Sequence, residues 1–178
     1  MTAVNTVLGI DPGVSETGWA VLCGEAGTSP RLTASGLIRT EPSRPLPERL
    51  CIIFDAVARV VERHRPQAVA VEEMFFLKAA HTIRGTLQAR GVILLAAARA
   101  GCPISEYNPR TVKATLSGSG TAEKRQMQRL VSKTLGLADL LRPDDVADAA
   151  AIALCHLRTG RIKRLQVLEA HGAPGGGR

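Results

Sequence analysis

The sequence predicts an α/β fold in which helices flank a mixed five-stranded sheet. Apolar runs separated by turn signals open the chain and indicate a meander of three strands, after which short apolar runs alternate with helical patterns. With 178 residues, 45% of them hydrophobic, the chain is long enough to bury a sizeable core within one domain.

Five strands and two long helices account for the first two thirds of the chain. Between the third and fourth strands, apolar residues recur at helical spacing from Leu46 until Pro66 ends the pattern. A second helix is expected over about 79–100, with an inner face formed by Ile83, Leu87, Leu94 and Leu95. The strands themselves are predicted over residues 4–11, 17–23, 31–39, 68–72 and 104–107.

The last third of the chain is predicted to be mainly helical. Pro109 begins a brief helix, Thr121 can N-cap the next one, and a final helix covers about residues 144–159. We expect residues 1–160 to form the folded domain. Residues 161–178 are basic and glycine-rich, which predicts a disordered tail.

The net charge of +7 is unevenly distributed along the chain. Residues 107–133 contribute +5 and residues 158–178 contribute +4, so the rest of the chain has a net charge of −2. This segregation predicts a basic surface beside an acidic pocket, for which nucleic acid is the natural polyanionic partner. A solvated helix face followed by a basic tail is the alternative interpretation.

The sequence also argues against several classes of protein. The four cysteines form no C-x-x-C pair and no histidine lies at metal-finger spacing, so neither a zinc site nor a catalytic cysteine is expected. No run of 18 apolar residues is present, which predicts no membrane span. The first residues lack the pattern of a secretory signal, and this predicts a cytoplasmic location.

The chain is organised around residues 7–13, where an apolar strand is predicted to end in Asp11. Pro12 and Gly13 then force a turn. A buried carboxylate is costly unless it is paired or binds a metal, so Asp11 is a candidate functional residue. An aspartate that merely caps the turn at the strand end is the alternative.

Three further carboxylates are candidates for the same site. Glu72 ends the fourth predicted strand, whereas Asp145 and Asp148 share one face of the final helix. Carboxylates gathered at one end of a sheet repel one another, and magnesium or manganese ions relieve that repulsion. Two such ions a few ångström apart are a common device for hydrolysing a phosphodiester.

Two points remain open from the residues alone. Asp144 and Asp145 could simply stabilise the helix N-terminus through its dipole. Alternation along the fourth strand separates Glu72 from Glu73 but does not decide which of them belongs to the site. Taken together and beside a basic surface, the carboxylates indicate a metal-dependent nuclease.

Five collinear motifs make the chain similar to the RuvC-type Holliday-junction resolvases, or crossover junction endodeoxyribonucleases, of the ribonuclease H-like superfamily. The resemblance extends over roughly residues 7–157. It implies a homodimer that resolves four-way DNA junctions in recombination and repair by paired symmetric nicks, leaving a 5′-phosphate and a 3′-hydroxyl. The motifs are Leu8-Gly9-Ile10-Asp11-Pro12-Gly13, Val71-Glu72-Glu73-Met74-Phe75, Leu87-Gln88-Ala89-Arg90-Gly91, Ala122-Glu123-Lys124 and Asp145-Val146-Ala147-Asp148-Ala149.

The resemblance implies catalytic and metal-binding roles for Asp11, Glu72, Asp145 and Asp148, and it favours Glu72 over Glu73. Some relatives carry histidine at the position of Asp145. Two Mg²⁺ ions per subunit are implied, for which Mn²⁺ can substitute. Cooperation with a junction-migrating helicase is implied as well.

A DNA-contacting surface is predicted beside these acids. The resemblance implies that Phe75, which follows the catalytic glutamate, meets a base near the junction centre. Two other functions remain as alternatives: another ribonuclease H-like nuclease acting on RNA or DNA, and a non-catalytic junction-binding module with a decayed site. The complete set of acids argues against decay. The basic residues predicted to contact DNA are Lys78, Arg110, Lys113, Lys124 and Arg125.

Overall fold

Five strands form one mixed sheet in the computed structural model, which describes residues 5–25, 28–73 and 80–172, with only the backbone described for 80–83 and 161–172. The sheet order is β3-β2-β1-β4-β5. The first three strands form the predicted antiparallel meander, whereas β4 is parallel to β1 and β5 is parallel to β4. The strands are β1 (Asn5–Asp11), β2 (Glu16–Gly24), β3 (Arg31–Arg39), β4 (Ala68–Glu72) and β5 (Ile104–Tyr107).

Helices cover both faces of the sheet within the described ranges. Alternation along β1 divides the core in two, because Leu8 and Ile10 pack in one cluster with α1 and α2, whereas Val7 packs in the other with α3, α4 and α5. None of the described helices is long and apolar enough to cross a lipid bilayer. The helices are α1 (Leu46–His64), α2 (Ala80–Arg99), α3 (Pro109–Ser117), α4 (Lys124–Thr134) and α5 (Asp144–Gly172).

Glycines in the sheet allow α5 to approach it closely. A Cβ atom at Gly9 of β1 would lie 2.9 Å from the Cβ of Ala153 and would overlap the carbonyl oxygen of Ala149. Gly18 of β2 is packed in the same way against the backbone of Asp145. The first turns of α5 therefore lie directly against β1 and β2.

Three details of the predicted helices are wrong. Leu95 is 52% exposed, although it was expected in the core. Residues 92–98 are apolar on every side of the helix, so their spacing does not fix which face is turned inward. Leu87 and Leu94 are half-buried, and the side chain of Ile83 lies outside the described residues. Among the residues of α2 whose side chains the structure describes, the fully buried ones are Ala89, Ile93, Ala96 and Ala97.

The predicted N-cap of α4 is the second error. Glu123 is the N-cap residue and makes no side-chain capping bond. The hydroxyl of Thr121 instead pairs with that of Ser119 at 3.0 Å, and Ala122 is buried before the helix starts. The final helix begins where predicted, but its predicted end near residue 159 is wrong, because its backbone is helical to Gly172. The division of the chain into residues 1–160 and a tail stays a prediction.

Candidate active site

The end of β1 and the first turns of α5 form the centre of the candidate site. Asp11 is the last residue of β1 and is the register partner of Gly18 in β2. Because Gly18 lies against the backbone of Asp145, the start of α5 is beside Asp11. Glu72 ends β4, which is the parallel neighbour of β1. Sheet topology thus brings the predicted acids to one end of the sheet.

Burial and mutual repulsion raise the pKa values of Asp11, Glu72 and Asp148. The pKa of Asp11 rises from an ordinary 3.8 to about 8, first through burial and then through the charges of Glu72, Asp148 and Asp145. Burial, followed by the charge of Asp148, raises the pKa of Glu72. Burial is also the main reason that the pKa of Asp148 is raised. The cluster therefore favours a proton or another cation.

Lys124 offsets part of this negative charge. Its Nζ lies 3.2 Å from Asp144 Oδ2 and 3.4 Å from Asp148 Oδ2. Burial alone would lower the pKa of Lys124, but the hydrogen bonds and charges of the two aspartates outweigh that effect and raise it. Gln128 Nε2 also donates to Asp144 Oδ1 over 2.7 Å. Asp144 is thus engaged by α4, whereas the charge of Asp145 acts on Asp11.

An open cavity of about 220 Å³ lies beside the acids. Glu72 and Asp148 line it together with Lys113 and Lys124, so both signs of charge meet there. Glu73, which the structure also describes, does not line the cavity. Glu72 is therefore the member of the pair that shares the cavity with Asp148 of α5. The remaining lining is apolar and consists of Pro109, Val112, Met127, Ala151 and Ile152.

The structure brings two of the six predicted DNA-contacting residues to this cavity. Lys113 on α3 and Lys124 on α4 line it. Arg110 and Arg125 are exposed in the first turns of the same two helices. Phe75 and Lys78 lie outside the described residues, so their predicted roles stay predictions.

The donor set fits a hard divalent cation. Carboxylate oxygens are the ligands that magnesium and manganese prefer, and burial makes an uncompensated cluster of them costly. Among the residues that the structure describes, no three histidine, cysteine or acidic side chains converge closely enough to form a preformed ion site. The charges nevertheless act on one another, as the raised pKa values of Asp11 and Glu72 show.

Sequence reasoning missed the residues that support the acids. Gly9 and Gly18 set the distance between α5 and the sheet. A glycine inside a strand is itself a signal of close backbone approach, so this role could have been predicted. Arg90 had no assigned role, yet its guanidinium donates to the carbonyl oxygen of Glu72. No pattern in the sequence predicts that contact.

Comparison with known proteins identifies the family. The family model described as "Crossover junction endodeoxyribonuclease RuvC" matches residues 7–156. This chain belongs to the RuvC family. The RuvC of Chloroflexus aggregans is 49% identical over 152 residues, covering 85% of this chain and 92% of that protein.

Solved RuvC structures share the fold. The RuvC of Thermus thermophilus in complex with a Holliday junction substrate matches with a TM-score of 0.85 at 38% identity, over 89% of this chain and 96% of that chain. The yeast mitochondrial Holliday junction resolvase matches with a TM-score of 0.67 at 13% identity, over 92% of this chain and 82% of that chain, which supports the fold alone. The predicted ribonuclease H-like fold and the RuvC resemblance are confirmed.

Proposed function

We propose that this RuvC-family protein is an endodeoxyribonuclease that resolves four-way DNA junctions. The observation that carries the proposal is a carboxylate cluster in which burial and repulsion raise the pKa of Asp11 to about 8, within a chain that matches the RuvC family model over residues 7–156. The Thermus thermophilus relative was solved with a Holliday junction substrate, which supports the same substrate class here.

In this proposal Asp11, Glu72, Asp145 and Asp148 hold two Mg²⁺ ions, for which Mn²⁺ can substitute. When bound, the ions supply activation of the attacking water and stabilisation of the leaving oxygen. The four carboxylates would position the two ions at one phosphodiester. Its hydrolysis leaves a 5′-phosphate and a 3′-hydroxyl. The carboxylates are buried and repel one another, and the positive charge of a divalent ion would offset that repulsion.

Lys113 and Lys124 are proposed to bind the phosphates that flank the cut. Both lysines line the cavity that Glu72 and Asp148 line, so a strand entering this cavity meets positive charge on its way to the acids. Arg110 and Arg125 extend the positive charge along the exposed starts of α3 and α4. Phe75 and Lys78 keep their proposed DNA contacts on the strength of the family resemblance.

Salt dependence tests this surface. We expect Lys113→Ala and Lys124→Ala each to reduce the slope of log affinity against log salt by roughly one ion, because each lysine releases a counterion on binding. Junction affinity is measured by fluorescence anisotropy at several salt concentrations without divalent ions. Lys133→Ala is the matched control, since Lys133 is exposed at the other end of α4, about 13 Å along the helix. Unchanged slopes in both variants would show that these lysines do not contact DNA.

The activity itself is tested with four-way junction, duplex and RNA–DNA hybrid substrates, each with and without Mg²⁺. We expect paired symmetric nicks in the junction, dependent on the divalent ion, and little cleavage of the other two substrates. Cleavage of the hybrid would support a different ribonuclease H-like nuclease. Tight junction binding without cleavage under any divalent ion would support a binding module.

The active form is proposed to be a homodimer, since two opposed nicks require two sites. The outer face of α2 is the proposed interface, because Leu95 is 52% exposed there and a Cβ atom at Gly91, one turn earlier, would meet no other described atom within 4 Å. The resemblance also supports a junction-migrating helicase as partner. We also propose a cytoplasmic location, where the substrate DNA would be found.

Introducing a charge at Leu95 tests the dimer. We expect Leu95→Glu to shift the protein toward monomer in analytical ultracentrifugation, because an ionised side chain in the centre of an apolar interface is costly to desolvate. Cys51→Glu is the control, since Cys51 is exposed on α1. A Leu95→Glu variant that remains as dimeric as the control would exclude this face from the interface.

A further inference from the structure

We infer that Arg90, on helix α2, is a positioning residue for Glu72. It acts by fixing the peptide group that follows Glu72. The inference rests on the proposed function, in which Glu72 is a metal ligand. It gives a role to the motif of residues 87–91, which the proposed chemistry leaves unused.

The peptide group between Glu72 and Glu73 is held at both of its polar ends. Its carbonyl oxygen accepts a hydrogen bond from Arg90 Nε at 3.3 Å. Its N–H donates to the carbonyl oxygen of Tyr107 over 2.8 Å. Because a peptide group is planar, holding both ends fixes the plane and with it the direction in which the backbone leaves Glu72.

Neighbouring strands alone do not provide this restraint. The pairing of β1 with β4 extends only as far as Val71, so it stops before the peptide in question. Strand β5 supplies the contact to the N–H, through Tyr107. The carbonyl end depends on α2, through Arg90.

Arg90 is itself held in place. Its Nη2 contacts Glu106 Oε2 on β5, and its side chain is 17% exposed, against 42% for Glu106. A partly buried, charge-assisted contact is directional. The planar guanidinium serves two partners at once, with Nε on the carbonyl oxygen of Glu72 and Nη2 on the carboxylate of Glu106. A lysine has a single ammonium group and cannot reproduce this geometry.

The side chain of Glu72 lines the cavity that Asp148 also lines. The orientation of a metal-binding carboxylate depends on neighbouring groups that do not themselves bind the metal. Loss of such a group typically costs about 10–100-fold in metal affinity or activity. Arg90 is such a group, since it contacts the backbone of Glu72 and belongs to a helix on the opposite face of the sheet from α5.

The test measures metal binding apart from cleavage. We expect Arg90→Gln to raise the Mn²⁺ concentration at half saturation by about 10-fold in calorimetry on the DNA-free protein. Single-turnover junction cleavage should need correspondingly more Mn²⁺, while junction affinity without divalent ions stays within about twofold. Arg99→Gln is the matched control, because Arg99 is an exposed arginine of the same helix whose guanidinium lies 5.8 Å from the Phe54 ring.

The conservative variant separates positioning from charge. Arg90→Lys keeps the positive charge and is expected to fold even if Arg90→Gln does not, yet it should still shift the half-saturation for Mn²⁺ severalfold. Half-saturation equal to wild type in Arg90→Lys would overturn the inference. So would weaker junction binding by Arg90→Gln with a salt slope reduced by one ion, since Arg90 would then be a DNA contact.

Glu72→Gln distinguishes failure of this inference from failure of the proposed function. If Glu72→Gln loses Mn²⁺ binding and cleavage while both Arg90 variants behave as wild type, only the role of Arg90 is wrong. If Glu72→Gln keeps both properties, the proposed metal site itself is wrong, and the inference fails with it.

Discussion

Replacing Asp11 with asparagine is expected to abolish junction cleavage while making the metal-free protein more stable. Loss of a residue that only supports a metal ligand costs up to about 100-fold. Loss of a proposed ligand itself should therefore slow single-turnover cleavage by more than about 100-fold. Junction binding should survive, because the change removes a negative charge that repels phosphate. Asparagine also removes the carboxyl group whose pKa burial and three neighbouring acids raise.

The gain in stability has a defined pH dependence. Between an unfolded pKa of 3.8 and a folded pKa of about 8, the native protein keeps a proton on Asp11 that the unfolded chain releases. The free energy of unfolding of the metal-free protein therefore falls as pH rises through this window. At pH 8 we expect Asp11→Asn to be more stable than wild type by roughly 2–4 kcal/mol, and at pH 4 the two should be nearly equal.

Thermal melts between pH 4 and pH 8, with and without Mn²⁺, check this prediction. Mn²⁺ should raise the melting temperature of wild type but not of Asp11→Asn. Glu73→Gln is the matched control, since Glu73 does not line the cavity, and it should keep substantial activity. Parallel loss of binding and cutting in Asp11→Asn, or a loss of stability at pH 8, would make Asp11 a structural residue.

Gly18→Ala is expected to damage stability and activity together. A Cβ at this position would lie 2.8 Å from the backbone nitrogen of Val146 and closer still to the carbonyl group of Asp145. Helix backbone cannot rotate out of the way as a side chain can, so α5 must move away from β2. We expect a cost of about 3 kcal/mol, at the upper end for overpacking, and a fall in melting temperature of about 6–12 °C.

The displacement of α5 also moves Asp145 and Asp148 away from Asp11. A shift of about 1 Å can cost up to about 100-fold in rate, so cleavage by the folded fraction should fall well below wild type. Single-turnover cleavage below the melting transition measures this. Gly24→Ala is the control in the same strand, because a Cβ there would be 3.4 Å from the nearest Leu157 atom, which is ordinary contact. Equal behaviour of the two variants would mean that close packing at Gly18 is not needed.

Local pattern was sufficient for much of the fold. Apolar runs bounded by turn residues predicted five strands whose described bounds agree with the structure to within one residue. Such runs are decided by neighbouring residues, because turns and strand propensity act over a few positions. The phase of α2 could not be decided in this way, since residues 92–98 are apolar all round and only packing turned Leu95 outward.

The acids of the site could also be proposed from the sequence. Asp11 and Glu72 each end an apolar run, and Asp145 and Asp148 share a helix face, so their positions in the elements followed from local spacing. Collinear motifs then indicated the family, and the family model confirmed it. Periodicity separated Glu72 from Glu73 without choosing between them, whereas the folded chain turned Glu72 toward the cavity.

Only the tertiary structure decided what surrounds these acids. The electrostatic coupling of Asp11 to Asp148 needs α5 to lie on β1 and β2, which depends on glycines more than a hundred residues earlier in the chain. The contact between Arg90 and the Glu72 carbonyl joins residues 18 positions apart across a helix–strand boundary. Pairings of this kind arise from how layers pack, and no local period in the sequence encodes them. The sequence by itself identified the candidate residues for the chemistry, and packing determined their spacing, their charge state and their support.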